Sequence, residues 1–246
     1  MLRRDMAEGI HRIQDGYVNW YLVEDGDSLT VVDAGTPAGW KLLEDAVRQL
    51  GRTLSDVKAL VLTHAHYDHV GFAERIRREL GIPVWVHEDD VSLSKHPAFF
   101  RTERLPVVYL KDRGLRKVGL DFLRRGAFFA RPVKEVRTYA GEGPVDVPGR
   151  PHAVFTPGHT KGHVAFHFPE RDLVIAGDAI VTFDPYTGST GPRLVAKGAT
   201  NDTEQALRSL DKIGALDAGT VAVGHGDPFE GGAAEAARLA RAAGNE

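Results

Sequence analysis

The chain has 246 residues, 42% of them hydrophobic and 26% charged, a composition typical of a soluble globular protein with a sizeable core. It contains no cysteine, which excludes disulfide frameworks, thiolate metal sites and a cysteine nucleophile. The net charge of −3 argues against a nucleic-acid partner, and no apolar run reaches the roughly 18 residues that a membrane span needs. The N-terminus does not resemble a secretory signal, so we expect a cytoplasmic protein.

The first part of the sequence predicts an antiparallel meander followed by helices that alternate with strands. Apolar runs of strand length at 10–13, 17–23 and 29–33 are separated by turn residues. Apolar residues recur at helical spacing over 40–50, and residues 70–80 are also predicted to be helical. Between these helices, the continuous apolar run at 57–63 is typical of a strand buried on both faces. Another strand is expected at 83–87.

Residues 95–137 differ in composition from the rest of the chain. They contain twelve basic and four acidic residues, a net charge of +8, and five of the eleven phenylalanines. We interpret the segment as a basic, aromatic-rich helical insertion in a single domain that spans residues 1–246. Either it covers the functional site and binds an anionic small molecule with an apolar part, or it packs onto the domain or onto a second subunit of a homodimer.

Strands and helices resume after the insertion in a similar order. Strands are predicted at 153–156, 164–168, 173–176 and 220–223, and helices at 202–213 and 230–243. The repeated order predicts an α/β protein with two related halves.

Residues 63–71, with the sequence THAHYDHVG, concentrate metal-ligating side chains between a buried strand and a helix. Histidine nitrogens and aspartate oxygens bind divalent ions such as zinc, and alternate residues of an extended segment point the same way. The four candidates exceed what one tetrahedral ion with an open position can use, which favours two ions. They are His64, His66, Asp68 and His69.

Three later segments place a residue of ligand type beside a glycine at the end of a predicted strand. A ligand at the carboxyl end of a strand is typical of open α/β sites, and the glycine lets the backbone turn sharply. These residues are His159, Asp178 and His225. His163 is interpreted as a hydrogen-bond partner of the ligands, whereas Asp33 either orients a ligand imidazole or caps a turn.

These motifs resemble those of the metallo-β-lactamase superfamily of hydrolases. THAHYDHVG matches its HxHxDH signature, and TPGHTKGH, AGDA and VGHGD match its later motifs. The resemblance implies an αβ/βα sandwich of two mixed sheets with helices outside and the site at one edge. It also implies that His64, His66 and His159 hold one metal ion, that Asp68, His69 and His225 hold a second, and that Asp178 bridges them. Zn²⁺ is the expected ion, with Mn²⁺ and Fe²⁺ as alternatives.

The same resemblance implies hydrolysis by a bridging hydroxide that Asp68 orients and whose proton it accepts. We expect an ester, lactone or thioester substrate. Asp178 argues against a true β-lactamase, since the lactamases of the family typically lack this bridging aspartate. A mononuclear iron dioxygenase of the persulfide dioxygenase type and a phosphodiesterase are the alternatives.

Three residues are candidates for contact with the substrate. Tyr186 lies in the loop 182–192, which is rich in glycine, proline and hydroxyl residues and is expected to line the mouth of the site. Phe128 and Phe129 belong to the insertion and would contact an apolar part of the substrate.

Overall fold

Two mixed β-sheets pack face to face in the computed structural model, and helices cover their outer surfaces. The structure describes residues 1–245, so Glu246, the last residue of the predicted domain, lies outside the described residues. This αβ/βα sandwich confirms the fold class expected from the sequence.

The first sheet contains seven strands in chain order. They are β1 (Leu2–Ala7), β2 (Ile10–Asp15), β3 (Val18–Asp25), β4 (Ser28–Val32), β5 (Val57–Val61), β6 (Val84–His87) and β7 (Arg137–Tyr139). The first four strands are antiparallel, as the predicted meander requires, and β4 to β7 are parallel. Helices α1 (Gly39–Gln49) and α2 (Ala73–Leu80) form the parallel crossovers. The sequence pattern did not reveal β1, because its centre consists of exposed charged residues.

The segment predicted as a helical insertion is less helical than expected. It begins at the last residue of the short helix α3 (Val91–Lys95) and contains one longer helix, α4 (Arg113–Arg125), flanked by 3₁₀ turns at Pro106–Tyr109 and Ala127–Phe129. Its last residue begins β7, so the chain rejoins the first sheet directly.

The second half of the chain contributes the remaining strands and helices. They are β8 (Gly143–Pro144), β9 (His152–Phe155), β10 (Val164–Phe168), β11 (Leu173–Gly177), β12 (Val181–Phe183), β13 (Thr190–Arg193), α5 (Thr203–Gly214), β14 (Thr220–Val223) and α6 (Ala233–Ala243). The second sheet has the order β14-β11-β10-β9-β8, while β12 and β13 form a separate ladder. Within the described part of the chain, no helix is long and apolar enough to cross a membrane.

Residues on alternate faces of the strands build the four layers. In β3, Tyr21 and Val23 pack against the second sheet, whereas Trp20 and Leu22 face the helices of the first half. From Ala59 onward, strand β5 is apolar on both faces because it lies between these two clusters, as its apolar run predicted, whereas Lys58 near its start is exposed.

The direction of the strands brings four loops to one edge of the sandwich. Strand β10 is antiparallel to both β9 and β11, and β11 is parallel to β14, so β9, β11 and β14 run in the same direction. Their carboxyl ends therefore meet at one edge of the second sheet. The loop that follows β5 in the first sheet reaches the same region, since Val164 donates a backbone hydrogen bond to Thr63 over 2.8 Å.

Candidate metal centre and adjoining pocket

The seven predicted ligands lie together in the loops at this edge. Four of them follow β5, and one each follows β9, β11 and β14. All seven are buried, and the most accessible of them is only 6% exposed. They are His64, His66, Asp68, His69, His159, Asp178 and His225. The structure thus brings together residues that are up to 161 positions apart in the sequence.

The ligand-type atoms form overlapping groups whose members lie within 4.8 Å of one another. One group is His64, His66 and His159; another is Asp68, His69 and His225. Asp178 lies between them: its Oδ2 is 3.4 Å from His159 Nε2 and 3.2 Å from His225 Nε2. One carboxylate can therefore reach both groups.

Buried atoms without hydrogen-bond partners test whether metal ions fit this site. Among the residues that the structure describes, Nε2 of His64 and His69 and Oδ1 of Asp178 are buried in this cluster and have no hydrogen-bond partner. Leaving one such atom unsatisfied costs about 1–3 kcal/mol, so three in one place would be a large penalty unless ions coordinate them. His66 Nδ1 lies 2.9 Å from His159 Nε2, which also fits two nitrogens directed at a common ion. The donor set therefore suits divalent cations.

The charges of the buried groups also favour the binding of cations. Burial alone would lower the pKa of His69, but the carboxylates of Asp178, Asp33 and Asp68 raise it to about 9. His225 behaves similarly: burial opposes its charged form, and Asp178 and Asp68 nevertheless raise its pKa well above the ordinary value. Without metal ions, two imidazolium groups therefore balance the buried carboxylates.

The two residues expected to support the ligands both contact them. Asp33 accepts hydrogen bonds from Thr63 N (2.7 Å) and Thr63 Oγ1 (2.8 Å) and lies 3.0 Å from His69 Nδ1. His163 Nε2 accepts a hydrogen bond of 3.0 Å from the backbone N–H of Asp178. Of the two roles left open by the sequence, these contacts match the first, since Asp33 contacts a ligand imidazole, and its other hydrogen bonds hold Thr63 in the loop after β5.

Two glycines allow the close approach of these loops. A Cβ on Gly224 would collide with the carboxylate of Asp178, so only glycine leaves room for that side chain. Gly177 adopts φ +52°, and a Cβ there would lie 2.8 Å from Thr63 Oγ1.

Sequence reasoning missed Asp90, which links two ligand loops. Its Oδ2 accepts hydrogen bonds from Ala65 N (3.1 Å) and Thr160 Oγ1 (2.8 Å), and its Oδ1 accepts one from Gly162 N (2.8 Å). Burial raises the pKa of Asp90 to about 6, although these hydrogen bonds oppose the shift. The run of three acidic residues after β6, in the sequence VHEDD, was the available signal.

Replacing Asp90 should loosen both loops. Asp90→Ala leaves the buried amides of Ala65 and Gly162 without acceptors, so we expect unfolding free energy to fall by at least about 2 kcal/mol and metal affinity to fall about 10-fold or more. Urea unfolding and competition with a chelator measure the two effects. Asp89→Asn, at the exposed neighbouring position, is the matched control. Wild-type metal affinity in the Asp90 variant would contradict this role.

A cavity of about 310 Å³ opens above the ligand cluster. The side chains of Asp68, Asp178 and His225 lie at its floor. Its walls are largely apolar and include Phe100, Val118, Phe122, Phe128, Tyr186 and Val195.

The three residues predicted to contact the substrate do not all lie in this cavity. Tyr186 and Phe128 line this cavity, whereas Phe129 is 72% exposed and lies in a different cleft beside Pro37 and Arg131. The reason is the 3₁₀ turn Ala127–Phe129, in which successive side chains point about 120° apart. Sequence reasoning missed Phe100, Phe122 and Tyr67 as wall residues, although the concentration of phenylalanine in residues 95–137 and the place of Tyr67 inside THAHYDHVG were available signals.

Helix α4 covers the cavity and is anchored to the sandwich. Arg125 Nη1 donates a 2.9 Å hydrogen bond to Asp15 Oδ1, and Asp15 is fully buried. Val118 and Phe122 on the inner face of α4 line the cavity. Among the described residues, no lysine or arginine does so, which means that the insertion presents its aromatic residues here but not its basic ones.

Known proteins resemble this chain over most of its length. The sequence profile of the metallo-beta-lactamase superfamily matches residues 13–225. Probable metallo-hydrolase YflN of Bacillus subtilis (strain 168) is 27% identical over 242 residues, covering 92% of this chain and 87% of YflN.

Solved structures also match this chain over most of its length. The metallo-beta-lactamase family protein TTHA1429 from Thermus thermophilus has a TM-score of 0.68 at 25% identity and covers 96% of this chain and 79% of its own. TTHA1623, crystallised in a di-iron-bound form, has a TM-score of 0.62 at 28% identity, with coverages of 93% and 96%.

Proposed function

This chain belongs to the metallo-β-lactamase superfamily, and from that premise we propose that it is a hydrolase that binds two divalent metal ions and cleaves an ester, lactone or thioester. The observation that carries the proposal is the convergence of seven buried residues of ligand type at the floor of an apolar cavity. Such a cavity suits a small molecule with an apolar acyl group.

The ligand set divides into two halves that share one carboxylate. His64, His66 and His159 would hold one ion, Asp68, His69 and His225 the other, and Asp178 would contact both. When bound, the ions supply a water of lowered pKa and polarise the carbonyl oxygen of the substrate. We propose Zn²⁺, since nitrogen and oxygen donors without thiolate suit zinc; they also suit iron and manganese.

Asp68 is positioned to act on the attacking water. Its carboxylate lies at the floor of the cavity and is 3.3 Å from His225 Nε2. No other carboxylate apart from Asp178 lines the cavity among residues 1–245. Since Asp178 would be shared by both ions, Asp68 would orient the water and accept its proton.

Two other activities fit parts of the observations. The di-iron-bound form of TTHA1623 favours iron as the second candidate metal, and a dioxygenase would need one iron per chain. Elemental analysis distinguishes one iron from two ions per chain. A phosphodiester would bring negative charge into a cavity whose described lining contains no lysine or arginine, which ranks that substrate lower.

The acyl group should determine how Phe128 affects hydrolysis. Phe128→Ala removes a wall of the apolar cavity, so we expect KM to rise about 10-fold for an octanoyl ester and little for an acetyl ester. Initial rates with the purified protein loaded with Zn²⁺ measure this dependence. Phe129→Ala is the matched control, because Phe129 lies outside the cavity.

Either of two results would contradict the proposal. No hydrolysis of any ester, lactone or thioester by a protein that contains two metal ions would refute the activity. Equal effects of the two phenylalanine variants on both esters would refute the acyl site.

A further inference from the structure

We propose that a second cleft, on the far side of Phe100, binds an anionic leaving group. The substrate would then be an ester or thioester that joins an apolar acyl group to an alcohol or thiol bearing a carboxylate or phosphate. This inference rests on the proposed hydrolysis and specifies its substrate class.

The second cleft adjoins the apolar cavity at the metal centre. It also measures about 310 Å³ and shares His66, Phe100 and His159 with the lining of the first. The ring of Phe100 stands against that of His66, with 4.1 Å between centroids. Phe100 therefore stands between two neighbouring spaces that both border the first group of ligands.

The two parts differ in charge. Arg101, Lys161 and Asn201 line the second cleft and can donate hydrogen bonds to an anion. Within residues 1–245, neither Arg101 nor Lys161 forms an ion pair.

Acidic residues do not cancel these cations. Asp89 lies in the cleft and is directed toward His87, with 3.8 Å between its Oδ2 and the Nδ1 of that residue. The carboxylate of Asp90 is buried and accepts three hydrogen bonds from the protein. Two exposed cations therefore face one exposed acid, and the cleft attracts a negative group.

The position of the ligands indicates which part of the substrate enters which space. Asp68, Asp178 and His225 line the apolar cavity but not the second cleft, so the carbonyl that reacts lies on the apolar side. Its acyl chain continues between Phe122 and Phe128, whereas the leaving group extends past Phe100. For a thioester R–CO–S–R′, one water adds to the acyl carbon and the C–S bond breaks, giving R–COO⁻, R′–SH and one proton.

The test compares two thioesters with the same octanoyl group. One leaving group is 3-mercaptopropionate and the other is the neutral 3-mercaptopropionamide. A thiol reagent detects product without background, because the protein contains no cysteine. We expect kcat/KM to favour the anionic thioester about 10-fold or more at low salt, and this preference to shrink as salt rises.

Substitutions in the second cleft test which residues cause the preference for the anionic thioester. Arg101→Ala and Lys161→Ala should each move the ratio of the two kcat/KM values toward one, and Arg101→Glu should favour a thioester of cationic thiocholine. Lys95→Ala is the control, because Lys95 is exposed and lines neither the apolar cavity nor the second cleft. It should keep the wild-type ratio.

Three results would overturn the inference without contradicting the proposed hydrolysis. One is equal hydrolysis of both thioesters by the wild type. Another is an anion preference that persists in the Arg101 and Lys161 variants. A preference for an anionic acyl group over an anionic leaving group would also overturn it. If neither thioester is cleaved while other esters are, the thioester class is wrong; cleavage of nothing refutes the proposed function itself.

Discussion

Asp68→Asn should lower kcat by about 10²-fold or more, the usual scale for loss of a general acid–base group. The amide keeps an oxygen donor but loses the charge that orients the water and accepts its proton. Because asparagine has nearly the same shape as aspartate, the substitution removes charge from this buried side chain, 3.3 Å from His225 Nε2, without opening a cavity.

Steady-state kinetics and metal analysis of the same preparation check this result. Asp146→Asn makes the same chemical change at an exposed position and should retain wild-type turnover. An Asp68→Asn protein that holds both ions and turns over normally would show that Asp68 is only a structural ligand.

Removal of the metal ions should make stability depend on pH. In the metal-free protein the pKa of His69 is raised to about 9 and that of His225 lies well above its ordinary value, because carboxylates surround both. The stabilisation from these protonated groups is fully present below their unfolded pKa of about 6.5 and is lost as the pH rises through about 9. Protein freed of metal ions by a chelator should therefore melt at a progressively lower temperature as the pH rises from 6.5 to 9.

Loading with Zn²⁺ should remove that dependence, since the ions then neutralise the carboxylates. At 100 times the dissociation constant, each ion adds about 2.7 kcal/mol, equivalent to a rise in Tm of roughly 5–10 °C for a chain of this size. Binding near pH 7.5 should also release at least about two protons per chain, one from each of the two imidazolium groups.

Thermal melts with and without chelator, and an indicator dye in weak buffer, measure these effects. The metal-loaded protein is the internal control for the other titrating groups. A metal-free protein whose Tm is constant between pH 6.5 and pH 9 would contradict the charge balance inferred for the site.

The sequence predicts the residues around the substrate only in part, because the position of a side chain depends on the folded structure as well as on its neighbours in the chain. Nothing in the sequence distinguishes Phe128 from Phe129. Only Phe128 reaches the cavity, because the 3₁₀ turn points the two side chains in different directions. The net charge of +8 was visible in residues 95–137, but it did not reveal that Arg101 borders a cleft while other basic residues face solvent or anchor α4. The extent of a single domain over residues 1–246 stays a prediction.

Some features were determined by the sequence alone, because the interactions that produce them are local. The ligands of residues 63–71 are close in the chain, and a strand followed by a turn necessarily brings their side chains together. The apolar runs of β2 to β5 likewise predicted strands, since a buried strand needs little more than its own pattern.

Other features were decided only by the tertiary structure, because their partners are distant in the sequence. Strand β1 has no apolar pattern and forms by pairing with β2. The carboxylate of Asp90 accepts hydrogen bonds from amides 25 and 72 residues away, so the acidic residues after β6 are visible in the sequence but the role of Asp90 is not. The same holds for the cleft beside Phe100, where Arg101 meets Lys161 and Asn201 only after the second sheet has packed against the first.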